Sequence, residues 1–185
     1  MGAEHASGLA AVERAARTAQ ATGRGLPPVH LWHPAHCGTI DIRIAADGRW
    51  FHEGSPIGRE ALVRLFAGVL RRDPEGYVLV TPVEKLSIAV DDAPFVAVAV
   101  QAGEGTLTFT TNVGDEVVAD PDHAIRVAAG PGGAPRPYLH VRRGLEALIA
   151  RPVFYELAAL AAPHPRTGAP AVASGGAWFS LEPAP

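Results

Sequence analysis

Between Ile40 and Val141 the chain is a succession of short apolar segments cut by glycine and proline, and the first of these segments constrains the fold most. Ile40, Ile42 and Ile44 alternate with Asp41 and Arg43, which puts three isoleucines on one face of a strand. Asp47-Gly48 follows, and Trp50 begins a return run to Glu53. An Asp-Gly pair between two such runs supplies the positive φ angles of a tight turn, so Ile40–Glu53 reads as a β-hairpin. Further strand signals follow at Tyr77–Val80, Leu86–Val90, Phe95–Val100, Leu107–Thr111, Glu116–Ala119, Ile125–Ala128 and Tyr138–Val141.

Helical patterns flank and interrupt this β series. Gly8 to Thr22 carries a thin apolar stripe, stopped by Gly23-Arg24-Gly25-Leu26-Pro27-Pro28. Arg59 to Arg72 places Leu62, Leu65, Phe66, Val69 and Leu70 on one face, with Ile57 and Leu62 spaced as a hydrophobic staple around Gly58. Asp73-Pro74-Glu75-Gly76 ends that helix. Gly144 opens a second helical region, interrupted by Pro152 and ending near Ala162. After a Pro/Gly/Ala-rich tail, Ala177-Trp178-Phe179-Ser180-Leu181 reads as a last strand docking two aromatics.

Two stretches resemble each other. Ile42-Arg43-Ile44-Ala45-Ala46, a turn, a strand and Glu60-Ala61-Leu62-Val63 form one. Ile125-Arg126-Val127-Ala128-Ala129, a longer Gly/Pro-rich turn, a strand and Glu146-Ala147-Leu148-Ile149 form the other. The expected fold class is therefore α+β: two related β-hairpin–helix units joined by a central antiparallel β segment. Residues 1–26 make an N-terminal helix and linker. Residues 27–100 make the first hairpin–helix unit with the central strands, and residues 101–185 the second unit with the C-terminal tail.

A chain of 185 residues with 48% hydrophobic and 19% charged residues can bury a full core without disulfides or metal. Its formal net charge of −3 offers no basic excess to follow a phosphate backbone, so no nucleic-acid partner is expected. Neither a signal peptide nor a membrane span is legible, and Cys37 is the one cysteine. The expectation is a reducing, cytoplasmic setting with no membrane partner.

His30, His33, His36 and Cys37 fall within eight residues. In a proline-restricted extended segment the histidines would stand about 9 Å apart along one face, at ~3.1 Å of rise per residue. One ion needs its ligands at about 2–2.3 Å, so no metal and no cofactor are expected. Cys37 as a nucleophile would need an activating base, and consecutive side chains such as His36 and Cys37 diverge along an extended chain.

The segment Thr81–Phe95 is the densest mixture of polar and apolar residues. Leu86, Ile88 and Val90 mark its buried face, and by period two Glu84 and Asp92 bracket that face. Paired carboxylates there could accept ligand donors or exchange protons. Lys85, the only lysine among 16 Lys and Arg residues, projects to the opposite face with Ser87 and Asp91. A second candidate group is Arg136, Tyr138, Arg142 and Arg143 beside a strand-to-helix passage, with Arg59 at the start of the first helix. Such groups could hold an anion near helix N-termini, although ordinary pairing with acidic residues explains them more simply. Arg59, Glu84, Lys85, Asp92, Tyr138 and Arg142 are the candidate ligand-binding residues. No catalytic residue is assigned, because no P-loop, G-x-S-x-G, H-E-x-x-H or C-x-x-C pattern is present.

Several motifs together resemble family 1285 of the bacterial domains of unknown function. They are Trp32-His33-Pro34, Cys37-Gly38, Asp47-Gly48-Arg49-Trp50, Gly54-Ser55-Pro56-Ile57-Gly58-Arg59, Leu62-Val63-Arg64-Leu65-Phe66 and the whole Thr81–Phe95 block. Thr110-Thr111-Asn112-Val113-Gly114-Asp115, Pro137-Tyr138, Val141-Arg142 and Leu145–Ile149 continue the resemblance, which spans roughly residues 27 to 160. It implies a mixed α/β fold with repeated structural motifs. It implies no established activity, cofactor or catalytic residue, and a role in signal transduction has been suggested for the family.

Three functions follow as expectations. The first is a non-enzymatic ligand-binding or regulatory module, with a small molecule or a protein as partner. The second is an enzyme using Glu84, Asp92 and Lys85 as acid–base groups. The third is an interaction scaffold acting as a homodimer.

Overall fold

The structure, a computed structural model, describes residues 8–21, 23 and 25–183. Its chain divides between Asp92 and Ala93 into two units, each with its own sheet and core. Thr22, the last residue of the expected first helix, lies outside the described residues.

The N-terminal unit begins with helix α1 (Leu9–Gln20), whose buried stripe is Val12, Ala16 and Ala19. A single 3-10 turn at Val29–Leu31 leads into β1 (His36–Ile44). There Ile40, Ile42 and Ile44 are buried while Asp41 and Arg43 face out, as their alternation requires. β2 (Trp50–His52) returns antiparallel, with Ile42 opposite His52 and Ile44 opposite Trp50. The turn between them places Gly48 at φ 85°, a conformation open to glycine at little cost. β3 (Ser55–Pro56) adds an edge, and helix α2 (Glu60–Gly68) lays Leu62, Leu65 and Phe66 into the core. The Phe66 ring stacks on buried Trp50 at 6.3 Å between centroids.

Helix α2 ends earlier than its apolar spacing predicts. Leu70–Asp73 form strand β4, paired antiparallel with β5 (Gly76–Val80) through Leu70–Leu79 and Arg72–Tyr77. Asp73-Pro74-Glu75-Gly76 is thus a hairpin turn rather than a helix stop. β6 (Glu84–Val90) then enters the middle of the sheet, antiparallel to β5 and parallel to β1. The sheet order is β3-β2-β1-β6-β5-β4.

The C-terminal unit starts with β7 (Phe95–Gly103), β8 (Thr106–Thr111) and β9 (Glu116–Val118), then β10 (Ile125–Ala129), β11 (Pro135–Arg142) and β12 (Leu145–Ile149). These make a second six-stranded sheet in the order β10-β11-β12-β7-β8-β9. Helix α3 (Arg151–Leu160) follows, and then a small antiparallel sheet of β13 (Ala162–Pro163), β14 (Pro170–Ser174) and β15 (Ala177–Ser180). Ser174 ties that sheet to the larger one: its Oγ accepts from Leu107 N at 2.8 Å and donates to Ala119 O at 2.6 Å.

The expected helix at Gly144–Ile149 is a strand. Arg143 and Gly144, both left-handed (φ 43° and 76°), close the hairpin between β11 and β12. Leu145, Ala147 and Ile149 are then buried and Glu146 and Leu148 are not, which is a period of two. Pro152 does not interrupt a helix. It stands in the first turn of α3, where its missing N–H has no intrahelical acceptor to lose.

Both large sheets have the same winding. In each, three strands step outward from the centre, three more step back, and the first and last strands pair in parallel: β1 with β6, and β7 with β12. The fold is α+β with two units, but each sheet is mixed and no separate central segment joins them. Thr81–Phe95 is shared, β6 closing the first sheet and Phe95 opening the second. The two similar sequence stretches do not coincide with this winding. Ile42–Ile44 ends a central strand, with Ala45 and Ala46 beyond it, whereas the counterpart Ile125–Ala129 is an edge strand; Glu60–Val63 is helical and Glu146–Ile149 extended. Among the described residues, no helix is long and apolar enough to cross a membrane.

Candidate functional site

In the N-terminal unit, Glu84 and Asp92 do not converge. Glu84 opens β6 and Asp92 lies beyond its end at Val90, with a strand of about 20 Å between them at ~3.3 Å per residue. Glu84 is buried, and its backbone closes a turn with Thr81: Thr81 N donates to Glu84 O at 2.9 Å, and Glu84 N to Thr81 Oγ1 at 3.2 Å. Lys85 donates to Asp73 Oδ2 at 3.2 Å. Asp73 also accepts from Arg71 Nε at 2.6 Å and Nη2 at 3.0 Å, and Arg71 Nη1 reaches Val29 O and Trp32 O, both at 2.8 Å. The Arg71 guanidinium, with Lys85 beside it, holds the Asp73 carboxyl below its ordinary range. This cluster fastens the His-rich segment to β4, so its partners account for Lys85.

His30, His33, His36 and Cys37 are all exposed. Among the described residues, no group of three or more His, Cys, Asp and Glu side chains is placed to hold a metal ion. Arg59 donates to Glu13 Oε2 at 2.9 Å, and Glu13 also takes Arg17 at 2.7 Å. Arg17 first and then Arg59 lower the Glu13 carboxyl's pKa, and the three side chains link α1 to the start of α2.

In the C-terminal unit, Arg142 pairs with Asp115 at 2.5 Å and covers the Phe95 ring at 4.9 Å, so it serves the sheet's interior. Tyr138 is different. It is buried, its ring carries the Arg126 guanidinium at 4.3 Å, and its hydroxyl accepts from Arg136 Nε at 3.1 Å. Arg136 lines a cleft of about 430 Å³, a volume ordinary for small-molecule sites. The start of β11 (Pro135, Pro137), the end of β12 (Leu148, Ile149) and the first turn of α3 (Arg151, Phe154, Tyr155) build the rest of its wall. Pro135 and Pro137 carry no N–H, so this end of β11 offers two fewer donors to a neighbouring strand. The described residues of the cleft's lining include two arginines and two aromatic rings and no acidic residue. A second cleft, of about 400 Å³, has small residues with Leu160 and Trp178 in its wall and Glu104 as its charged group.

The N-terminal domain of DUF1285, a domain of unknown function, matches residues 27–93, and the C-terminal domain of the same family matches residues 94–181. The chain belongs to the DUF1285 family. The boundary between the two DUF1285 domains falls within one residue of the division between the two units. The crystal structure of a DUF1285 family protein from Silicibacter pomeroyi DSS-3 is 50% identical, over 95% of this chain and 94% of that one, with a TM-score of 0.84. A DUF1285 family protein from Shewanella baltica OS155 is 27% identical, over 62% of this chain and 87% of that one, with a TM-score of 0.51. Among curated proteins, none is similar to the chain.

Of the six candidate residues, the structure thus places only Tyr138 next to this DUF1285 cleft, through Arg136. Arg151, Phe154 and Tyr155 escaped sequence reasoning because Pro152 was read as a helix interruption. Taken as an N-terminal proline, it puts Arg151 and Tyr155 four residues apart on one face of a first helical turn.

Proposed function

We propose that the protein is a non-enzymatic, cytoplasmic regulatory module that binds a small organic anion in the cleft of its C-terminal unit. One observation carries this reading: Arg151, exposed and with no ion-pair partner among the described residues, shares a cleft with Arg136, Phe154 and Tyr155. Guanidinium groups beside apolar walls suit an anion that brings apolar surface with it. The common winding of the two sheets supports reading the units as versions of one motif, of which the second carries the cleft. A regulatory role agrees with the signal-transduction role suggested for the family.

The test is a thermal-shift screen of the full chain against organic anions and their neutral analogues. The expected result is a saturable rise in Tm with anions, lost in Arg151→Gln. A chain that no anion shifts, but that turns over a substrate through Lys85 or Glu84, would overturn the reading.

A further inference from the structure

We propose that the second cleft of the C-terminal unit binds an organic ammonium ion, with its charge beside Glu104 and its apolar body over Trp178. None of the described residues lining this cleft lines the arginine cleft, so the inference stands apart from the anion site.

The cleft lies between the β7–β8 hairpin, the end of α3 and the small sheet. Buried Leu107, Ala171 and Val172 contribute to its apolar floor. Two large apolar side chains in its wall remain open to water, Leu160 at 50% and Trp178 at 39% exposure. A ligand entering these 400 Å³ covers apolar surface that the fold itself leaves wet.

The two sides of the cleft are tied together. Gly175 N donates to Gly105 O at 3.1 Å, and Ser174 Oγ accepts from Leu107 N at 2.8 Å. The β7–β8 hairpin is thereby fastened to the β14–β15 hairpin, which carries Trp178. The indole is braced as well. The His164 ring meets it in a T-shaped arrangement with centroids 6.0 Å apart, and His164 Nδ1 accepts from Arg166 N at 3.1 Å and Thr167 N at 3.3 Å. A wall set before binding gives up little freedom when the ligand arrives.

Charge selects the class of ligand. Glu104 is the one charged residue in the described lining, and it has no hydrogen-bond or ion-pair partner among the described residues. It stands at φ 46° in its turn, a conformation that asparagine or glycine adopts at lower cost, so the turn alone does not call for a glutamate. An indole face attracts a cation, and a carboxylate on the same cleft adds to that attraction while repelling an anion. A bare metal ion would use the carboxylate and leave Leu160 and Trp178 in water. An ammonium on an apolar body uses both.

The experiment is titration of the full chain with benzylammonium and benzyl alcohol, which share a ring and differ in charge, followed by tryptophan emission and by calorimetry. Benzylammonium should change the emission saturably and bind about tenfold or more tightly than the alcohol. Glu104→Gln should erase that preference and leave the alcohol's affinity unchanged. Trp178→Leu should weaken benzylammonium by about tenfold and remove the emission change, while Trp32 and Trp50 still report a folded chain. Both substitutions lie at exposed positions. Equal binding of the two compounds, or a preference that survives Glu104→Gln, would overturn the ammonium class. Binding untouched by Trp178→Leu, or no binding of either compound, would overturn the site.

Discussion

Asp73 shows what a single residue can hold. Its carboxylate receives Arg71 and Lys85, and Arg71 in turn holds the carbonyls of Val29 and Trp32, so one acid joins β4, β6 and the segment leading to β1. Arg71 and Asp73 are only 13% and 12% exposed, so removing the acid strands a largely buried guanidinium. The cation partners depress the folded-state pKa below its unfolded value of about 4. The stabilisation is therefore fully present above that unfolded value and is lost as pH falls through the lower folded one. Asp73→Asn should be less stable at neutral pH by about 1–3 kcal/mol and should lack this acid-dependent component, read from Tm as a function of pH. At this scale the sequence was informative about rarity but not about partners. Lys85 stood out as the single lysine, yet its acid became visible only once β4, β5 and β6 were in register.

At the scale of elements, period outweighed composition. Leu145–Ile149 is made of good helix formers, and Glu146-Ala147-Leu148-Ile149 resembles a true helical stretch, Glu60–Val63. The strand prevails because alternate residues are buried between neighbours on both sides, a tertiary gain larger than the few tenths of a kcal/mol per residue of helix propensity. The Ile40–Glu53 hairpin was legible for the opposite reason: period, turn chemistry and burial agree there. Ser174 had no signature at all. Its hydroxyl bridges Leu107 N and Ala119 O, which lie far from it in the chain. Ser174→Ala leaves that buried donor and acceptor without their partner, so a loss of about 1–3 kcal/mol is expected in chemical denaturation.

For the molecule as a whole, two units were expected from a pair of similar stretches that does not coincide with the shared winding, and the winding itself was not legible, since it depends on which distant strands pair in parallel. The cleft was only half legible. Arg136 and Tyr138 drew attention by their clustering, but Arg151, Phe154 and Tyr155 join them only when α3 starts at Arg151. The cleft's described lining lies entirely after Ala93. A fragment of residues 93–185 should therefore fold alone and keep the rise in Tm with organic anions, measurable by amide NMR dispersion and thermal shift. A fragment that is unfolded, or folded without affinity, contradicts this.

The parallel pairs β1·β6 and β7·β12 also set a schedule. Each joins the opening and closing strands of its sheet, so neither six-stranded sheet can be completed by neighbours meeting neighbours. The hairpins on either side form early, because their loops are short, while the central seam must wait for closure of a long intervening chain. On the ribosome, His36 has no seam partner until Glu84 has emerged, and Phe95 none until Ala147 has. Each unit would then exist for a time as two three-stranded pieces with their inner edges unpaired, the state in which this chain is most open to pairing with another copy of itself.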